Sequence, residues 1–282
     1  MRNYDFPSLG FGVGLRPPHY SRIVDGVDAA GGRAPVDWFE VISENFMVDG
    51  GRPLQVLEAV RRDFPIVMHG VSLSIGSVDP LDRHYLSRLK QLASRFDPAW
   101  ISDHLCWTGI DRRNLHDLMP IPYTEEALDH VVTRIREVQE ILGRRIAIEN
   151  ISSYMTYRAS AIPEWEFLSA IAGQADCGIL LDLNNIYVTA YNQGFDPVRY
   201  IDSLPVERVR QFHLAGYSDH DGYLLDTHDH QISAPVWNLY DHAVRRFGRI
   251  STLIEWDDRI PEFELLAAVA DKARLRAESA LG

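Results

Sequence analysis

Eight times along this chain a short apolar run is followed by a polar residue and then by a longer stretch with helical spacing. The runs occupy residues 9–13, 38–42, 66–68, 99–102, 145–148, 178–181, 209–212 and 251–254. Most are continuously apolar and rich in β-branched residues, the pattern of strands covered on both faces. Between them lie helix signals. Asp79-Pro80 predicts a helix through about Ser94, Thr124 caps the next, Asp196-Pro197 repeats the start signal, and Pro261 opens a last helix to about Ala277. In the Thr124 helix Leu128, Val131, Val132, Ile135, Val138 and Leu142 keep the 3.6-residue period. Strict alternation implies a parallel sheet with right-handed crossovers, and eight repeats favour closure into a barrel over an open sheet. No GxGxxG follows the first run, which removes the usual mark of an open dinucleotide-binding sheet. The expectation is an α/β chain folded as one (β/α)8 TIM barrel over residues 1–282. Its core spans about 9–267 and its C-terminal helix about 261–277.

The length of 282 residues suits such a barrel, which takes about 250. No run of about 18 apolar residues occurs, so no membrane span is expected. The N-terminus lacks the apolar core of a signal peptide, and two cysteines, Cys106 and Cys177, make neither a disulfide framework nor a CxxC site. The chain therefore reads as cytoplasmic. A net charge of -12 argues against a nucleic-acid partner, because phosphate binding depends on Lys and Arg.

The residues that end the runs carry the chemistry. The third, fourth and fifth end in His69, His104 and Glu149. The sixth ends in Asp182 with Asn185 a turn further on, the seventh in His213 and the eighth in Glu255. Asp226 and His228 lie between the last two. In a β/α barrel these ends emerge around one mouth, where active sites sit. Taken singly, such a histidine more often bonds a backbone carbonyl, and such a carboxylate often caps a helix. Together they crowd charge that would repel and be costly to bury without cations. Nine ligands exceed what one ion needs and suit two or three, with a carboxylate bridging a pair. Imidazole with oxygen suits iron, manganese or zinc, and the lack of thiolates speaks against a structural zinc site. The amide of Asn185 is the weakest donor and would leave one ion labile or open.

Lesser candidates surround these. His19 follows the first run, and Glu44 and Asn45 follow the second. Asn150, Asn184 and Tyr217 stand beside ligands, where they would orient a ligand or touch substrate. His84, His130 and His242 fall in helices and are expected to face solvent. Cys106 reads as a small buried hydrophobe. Lys272, Arg274 and Arg276 are placed at a helix end, complementing its dipole.

Seven segments are more specific: FEVISENFM at 39–47, HGVSLSIG at 69–76, SDHLCW at 102–107, PIPYT at 120–124, ENISSY at 149–154, LDLNN at 181–185 and HLAG at 213–216. Through them nearly the whole chain resembles the multinuclear non-heme iron-dependent oxidative enzymes, a family that includes the methanobactin biosynthesis oxygenase. The resemblance implies a xylose isomerase-like barrel and a mixed-valent site of two or three irons. It also implies O2-dependent four-electron oxidation of cysteines in a ribosomally made precursor peptide. Members often work with a second protein that presents the peptide, and several serve copper handling. The same barrel superfamily includes a tri-zinc DNA-repair endonuclease with a similar ligand order, which has histidine where this chain has Asn185. By that analogy His69, His104 and Glu149 hold one ion. Glu149, Asp182, His213 and Glu255 hold the second, and Asn185, Asp226 and His228 the third. Members of the oxidative family often have histidine at the position of Tyr217. Two rival readings stand beside this one: a divalent-metal hydrolase or sugar isomerase, and a non-catalytic metal- or peptide-binding protein.

Overall fold

The computed structural model describes residues 6–29, 35–111 and 113–282. Eight parallel strands close into a barrel: Phe11–Gly14, Trp38–Ile42, Ile66–His69, Ile101–His104, Ala147–Glu149, Gly178–Asp182, Val209–Leu214 and Ser251–Ile254, counted below as strands one to eight. Strand one closes the ring by pairing with strand eight on one side and strand two on the other. Helices cover the outside and share one large apolar core with the outer faces of the strands. Among the described residues no helix is long and apolar enough to cross a membrane.

Period-two alternation sorts each strand into an outward and an inward set. Trp38, Val67, Trp100 and Leu253 form a small apolar cluster separate from the main core, a plug that fills one end of the barrel. The two indole rings stand 5.9 Å apart. Gly12 makes room for this plug, since a Cβ there would stand 2.5 Å from the Trp38 ring. Two residues on from the plug come Glu40, His69, Ser102 and Glu255, so one period of pleat converts an apolar layer into a polar one. Register aligns ligands laterally as well, with His104 beside Glu149 and Asp182 beside His213.

Several expected boundaries shift. The helix expected from Asp79-Pro80 is Arg83–Phe96, capped by Asp82, whose carboxylate accepts from the amides of His84 and Tyr85. The Asp79 carbonyl instead accepts from Arg134 at 2.8 Å, which ties this segment to the neighbouring helix. Thr124 caps Glu125–Leu142 and Asp196 caps Pro197–Ser203 as their sequences predict. The last helix, Phe263–Leu281, runs past Ala277, so Lys272, Arg274 and Arg276 lie within it and not at its end. Lys272 sits over the Trp237 ring, Arg274 pairs with Asp37, and Arg276 pairs with Asp241. His84 is exposed as expected, but His130 is half-buried against the Ser77 carbonyl and His242 is paired with Asp202. Both cysteines are buried and free. Burial pushes the Cys177 thiol to about 12 and the Cys106 thiol well above its ordinary value.

Two antiparallel hairpins rise beside the mouth at the strands' C-terminal ends. Trp107–Ile110 pairs with Arg113–Met119 after strand four, and Ser218–His220 pairs with Tyr223–Leu225 after strand seven.

Candidate metal centre

Three ligand groups gather at the mouth. In the first, Nε2 of His69 and Nε2 of His104 lie 3.3 Å apart, and each lies 3.2 Å from Oε2 of Glu149. Two ligands bound about 2.1 Å from one ion at 90–109° stand about 3.0–3.4 Å apart, so these edges are those of a shared coordination sphere. The opposite ring nitrogens are engaged. Nδ1 of His69 meets Ser102 Oγ at 2.8 Å, and Nδ1 of His104 meets the Gly70 carbonyl at 3.1 Å. A carbonyl can only accept, so His104 is protonated at Nδ1 and presents the Nε2 lone pair to the centre. Burial, followed by the nearby His104 and His213, holds His69 well below its ordinary pKa and keeps it neutral, as a ligand must be.

The second group is joined to the first through Glu149. Its Oε1 lies 3.4 Å from Nδ1 of His213, which is also 3.1 Å from Glu255 Oε2 and 3.9 Å from Asp182 Oδ2. One carboxylate therefore presents one oxygen to each group, the geometry of a bridge. Asp182 has two duties. Its Oδ1 accepts from the amide of Asn185 at 2.6 Å and caps the helix Leu183–Gln193, while Oδ2 faces the centre. Asn150 clamps the same backbone, donating to the Asp182 carbonyl and accepting from its amide, each at 3.0 Å.

Beneath His213 lies a layer that the sequence reading missed. Glu40 and Gln211 are almost fully buried in the barrel. Trp100 donates to Gln211 Oε1 at 2.6 Å, and Gln211 donates to Glu40 Oε2 at 2.6 Å. His213 turns Nε2 towards this pair, 3.3 Å from Glu40, which leaves Nδ1 for the centre. A carboxylate behind a ligating imidazole fixes its orientation and raises its basicity. Part of the signal was present in the sequence: a glutamate in the middle of the otherwise apolar strand Trp38–Ile42 has no reason to be there unless something inside the barrel needs it.

His228, Glu255 and Asp257 form the third group. Nδ1 of His228 lies 3.3 Å from Glu255 Oε2 and 3.1 Å from Asp257 Oδ2, while Nε2 lies 2.7 Å from Asp226 Oδ1. Asp257 was not singled out from sequence. It is held from the far side by Arg16, a buried guanidinium that folds back over Gly14, where a Cβ would stand 2.9 Å from it. Asn185 and Asp226 line the same mouth. Asn185 Nδ2 donates to the Asn150 carbonyl and Asp226 accepts from Ser152 and Asn184.

Other candidates are placed elsewhere. His19 packs edge-on against Phe263 and bonds the Pro261 carbonyl, a structural role. Glu44 accepts from the Val71 amide and the Tyr85 hydroxyl, bracing the loop behind His69. Asn45 is exposed. Asn184 holds Asp226, and Tyr217 stacks on Tyr187 at 5.5 Å.

The centre's electrostatics show what it is built for. Burial, then Glu149, pushes Asp182 well above the carboxylate range. Burial works against a charge on His213, yet Glu40, Glu255 and Glu149 carry it well above the histidine range. His228 is raised against burial by Asp226 and Glu255. Burial likewise disfavours the charged form of Glu255, but His213 and His228 hold it well below. Without cations the cluster thus retains protons. Glu149 Oε2, Asp182 Oδ2, Asn185 Oδ1, His213 Nδ1 and Glu255 Oε2 are all buried with no hydrogen-bond partner. Buried polar atoms are normally partnered, and here the exceptions converge, so the donor set fits metal ions. Above them opens a cavity of about 550 Å³.

The fold and this centre define a class: a (β/α)8 barrel carrying adjoining groups of metal-competent histidines and carboxylates at its C-terminal mouth. Solved structures share the fold. Endonuclease IV from Thermus thermophilus superposes with a TM-score of 0.62 at 15% identity, over 97% of this chain and 100% of that one. D-psicose 3-epimerase from Clostridium cellulolyticum gives 0.62 at 12% identity, over 96% and 99%. A xylose isomerase-like TIM barrel protein from Mycobacterium smegmatis, solved with magnesium, gives 0.63 at 12% identity, over 98% of each chain. Sequence is more specific. Residues 10–278 match the model of the RiPP precursor modification enzymes MbnB/TglH/ChrH, and this chain belongs to that family. UPF0276 proteins are similar throughout. That of an Anaeromyxobacter species is 59% identical over 94% of this chain and 92% of its own, and that of Caulobacter vibrioides is 51% identical over 96% and 95%.

Proposed function

We propose that this protein is a multinuclear iron-dependent, O2-using enzyme that oxidises cysteine residues of a ribosomally synthesised precursor peptide. The products would be of the oxazolone, thioamide or thiooxazole type. The observation that carries this reading is Glu149, whose two oxygens face two adjoining ligand groups in a protein of a peptide-modifying family. His69, His104 and Glu149 would hold one iron, and Glu149, Asp182, His213 and Glu255 a second. A third would take His228 with Glu255 and Asp257, or with Asp226 and Asn185. A mixed-valent iron pair held there would supply electron transfer to O2 and a Lewis-acidic site for a substrate thiolate. The chain's own residues do the rest. Ser102 and Gly70 fix the rings of His69 and His104, and Glu40 fixes His213. The Trp38–Trp100 plug fills the barrel beneath the centre, and the cavity opens above it at the mouth. The cavity has room for a cysteine with its neighbouring residues, and a second protein would present the peptide. The work would belong to natural-product biosynthesis, with a link to copper handling and a cytoplasmic location.

The test is metal analysis of protein purified anaerobically, with electron paramagnetic resonance and oxygen uptake on the same sample. Two to three irons per chain, a mixed-valent signal and cysteine-dependent oxygen uptake are expected. Zinc or manganese alone, with no oxygen uptake after iron reconstitution, would transfer the reading to a hydrolase or isomerase. Iron without uptake in the presence of the precursor peptide would leave a metal- or peptide-binding protein.

A further inference from the structure

The hairpin after strand four contains a feature the metal centre does not explain. Trp107 pairs with Met119 and Gly109 with Asn114, so two steps along one strand oppose five along the other. The three surplus residues form a bulge, a device that re-aims side chains beside active sites. At its centre His116 has φ 55°, a left-handed conformation uncommon for a residue with a Cβ. The Asn114 side chain accepts from the His116 amide at 2.7 Å and secures that turn. The base of the hairpin is fixed too. Thr108 N donates to Ser74 Oγ at 2.9 Å, Ser77 Oγ to the Gly109 carbonyl at 3.0 Å, and Trp107 Nε1 to the Pro120 carbonyl at 2.8 Å. A Cβ on Gly109 would meet the Arg113 carbonyl at 2.4 Å, so its absence allows the two strands to close there. A fixed base and a locked bulge place Asn114, His116, Asp117 and Leu118 on the wall of the cavity that His104 and Glu149 also line.

We propose that His116 is the proton acceptor for the substrate thiol as it enters the mouth, an inference that rests on the cysteine-oxidising reading above. A thiol is a poor ligand until it is ionised. The ligating histidines cannot serve, because their lone pairs face the centre. His116 is an exposed imidazole on the entry wall. It is the kind of side chain that takes a proton near neutral pH and returns it to solvent. The S–H bond breaks, an N–H bond forms on the ring, and sulfur keeps the electron pair. The imidazolium then releases its proton through the open mouth, with no change in oxidation state. Asp117 beside it, Asp226, Asp257, His228 and Tyr154 around the mouth, and His69, His104, Glu149 and Glu255 at its floor are the other titratable groups lining this space.

The experiment follows N-acetylcysteine amide binding to the iron-loaded protein by stopped flow, reading the visible thiolate-to-iron absorption from about pH 6.5 to 9.5. The native rate is expected to stay nearly level from about pH 7 upward. His116→Gln is expected to be at least ~10-fold slower at about pH 7. Its rate should climb ~10-fold per pH unit and converge with the native rate as the probe ionises itself near pH ~8.5. Iron per chain should be unchanged. Leu115→Ala, on the same bulge but outside the cavity wall, should behave as native. A native rate that already tracks the probe's ionisation, or an equal effect of Leu115→Ala, overturns the role of the imidazole. No thiolate absorption in native iron-loaded protein at any pH overturns the cysteine reading itself, and this role with it.

Discussion

Replacing Glu149 by Gln preserves the shape of the side chain and removes the charge that both inner ligand groups share. An amide presents one oxygen and one N–H₂, so it cannot offer an oxygen lone pair both to an ion held with His69 and His104 and to an ion held with His213. If the proposed iron centre is right, Glu149→Gln is expected to lose at least half of the iron and the mixed-valent signal of the native protein. Retention of both would remove the bridging role. Glu40 acts at one remove. Glu40→Gln keeps a contact to Gln211 but withdraws the negative charge behind His213, and should weaken the second ion by ~10–100-fold. Competition with a graded chelator series measures it. An ion at the His69, His104 and Glu149 group should hardly change.

At the scale of elements, strand and helix termini share atoms with the centre. Asp182 ends strand six and caps the helix that follows, with one oxygen assigned to each task. Asparagine is as good an N-cap as aspartate, so Asp182→Asn should leave apo stability within about 0.5 kcal/mol of native while lowering metal content. Asp182→Ala loses the cap as well and should cost a further ~1 kcal/mol. Thermal unfolding of the metal-free forms separates the two effects. If Asp182→Asn destabilised the apo protein as much as the alanine variant, the division of labour between its oxygens would be wrong. The hairpins obey a similar economy: neither adds to the barrel, and both supply residues to the mouth.

For the whole molecule, metal and fold are linked. Asp182, His213 and His228 all have raised folded-state pKa values. Each such group contributes stability that is complete below its unfolded pKa and is lost as pH rises towards the folded one. For the carboxylate that window opens near about pH 4, and for the imidazoles near about pH 6.5. Above about pH 6.5 all three act together, and chelated protein should unfold at steadily lower temperature as pH rises to about 9. Cations that replace the protons should flatten that profile and raise the transition at every pH in the range. Calorimetry with and without chelator checks both. Parallel curves of equal slope would show that the cluster's protons do not report on the metal sites.

Much of this architecture was legible in the chain alone, because a parallel barrel needs strands apolar on both faces and that need writes continuous apolar runs. The polar residue closing each run was equally visible, and the closed ring explains why His69, His104, Glu149, Asp182, His213 and Glu255 meet despite their separation in sequence. Local signals also served where capping is decided by neighbours, as at Thr124 and Asp196. They misled at Asp79-Pro80, where the Arg134 guanidinium, distant in sequence, holds the Asp79 carbonyl and moves the helix start to Arg83. Only the tertiary structure could divide the two oxygens of Glu149 between groups, seat Glu40 behind His213, bring Arg16 to Asp257 and raise His116 over the mouth. These are decisions of register, pleat and bulge. Sequence spacing records which residues an element carries, but which atom faces which partner depends on how neighbouring and next-but-one strands of the ring bring their side chains within 3–4 Å.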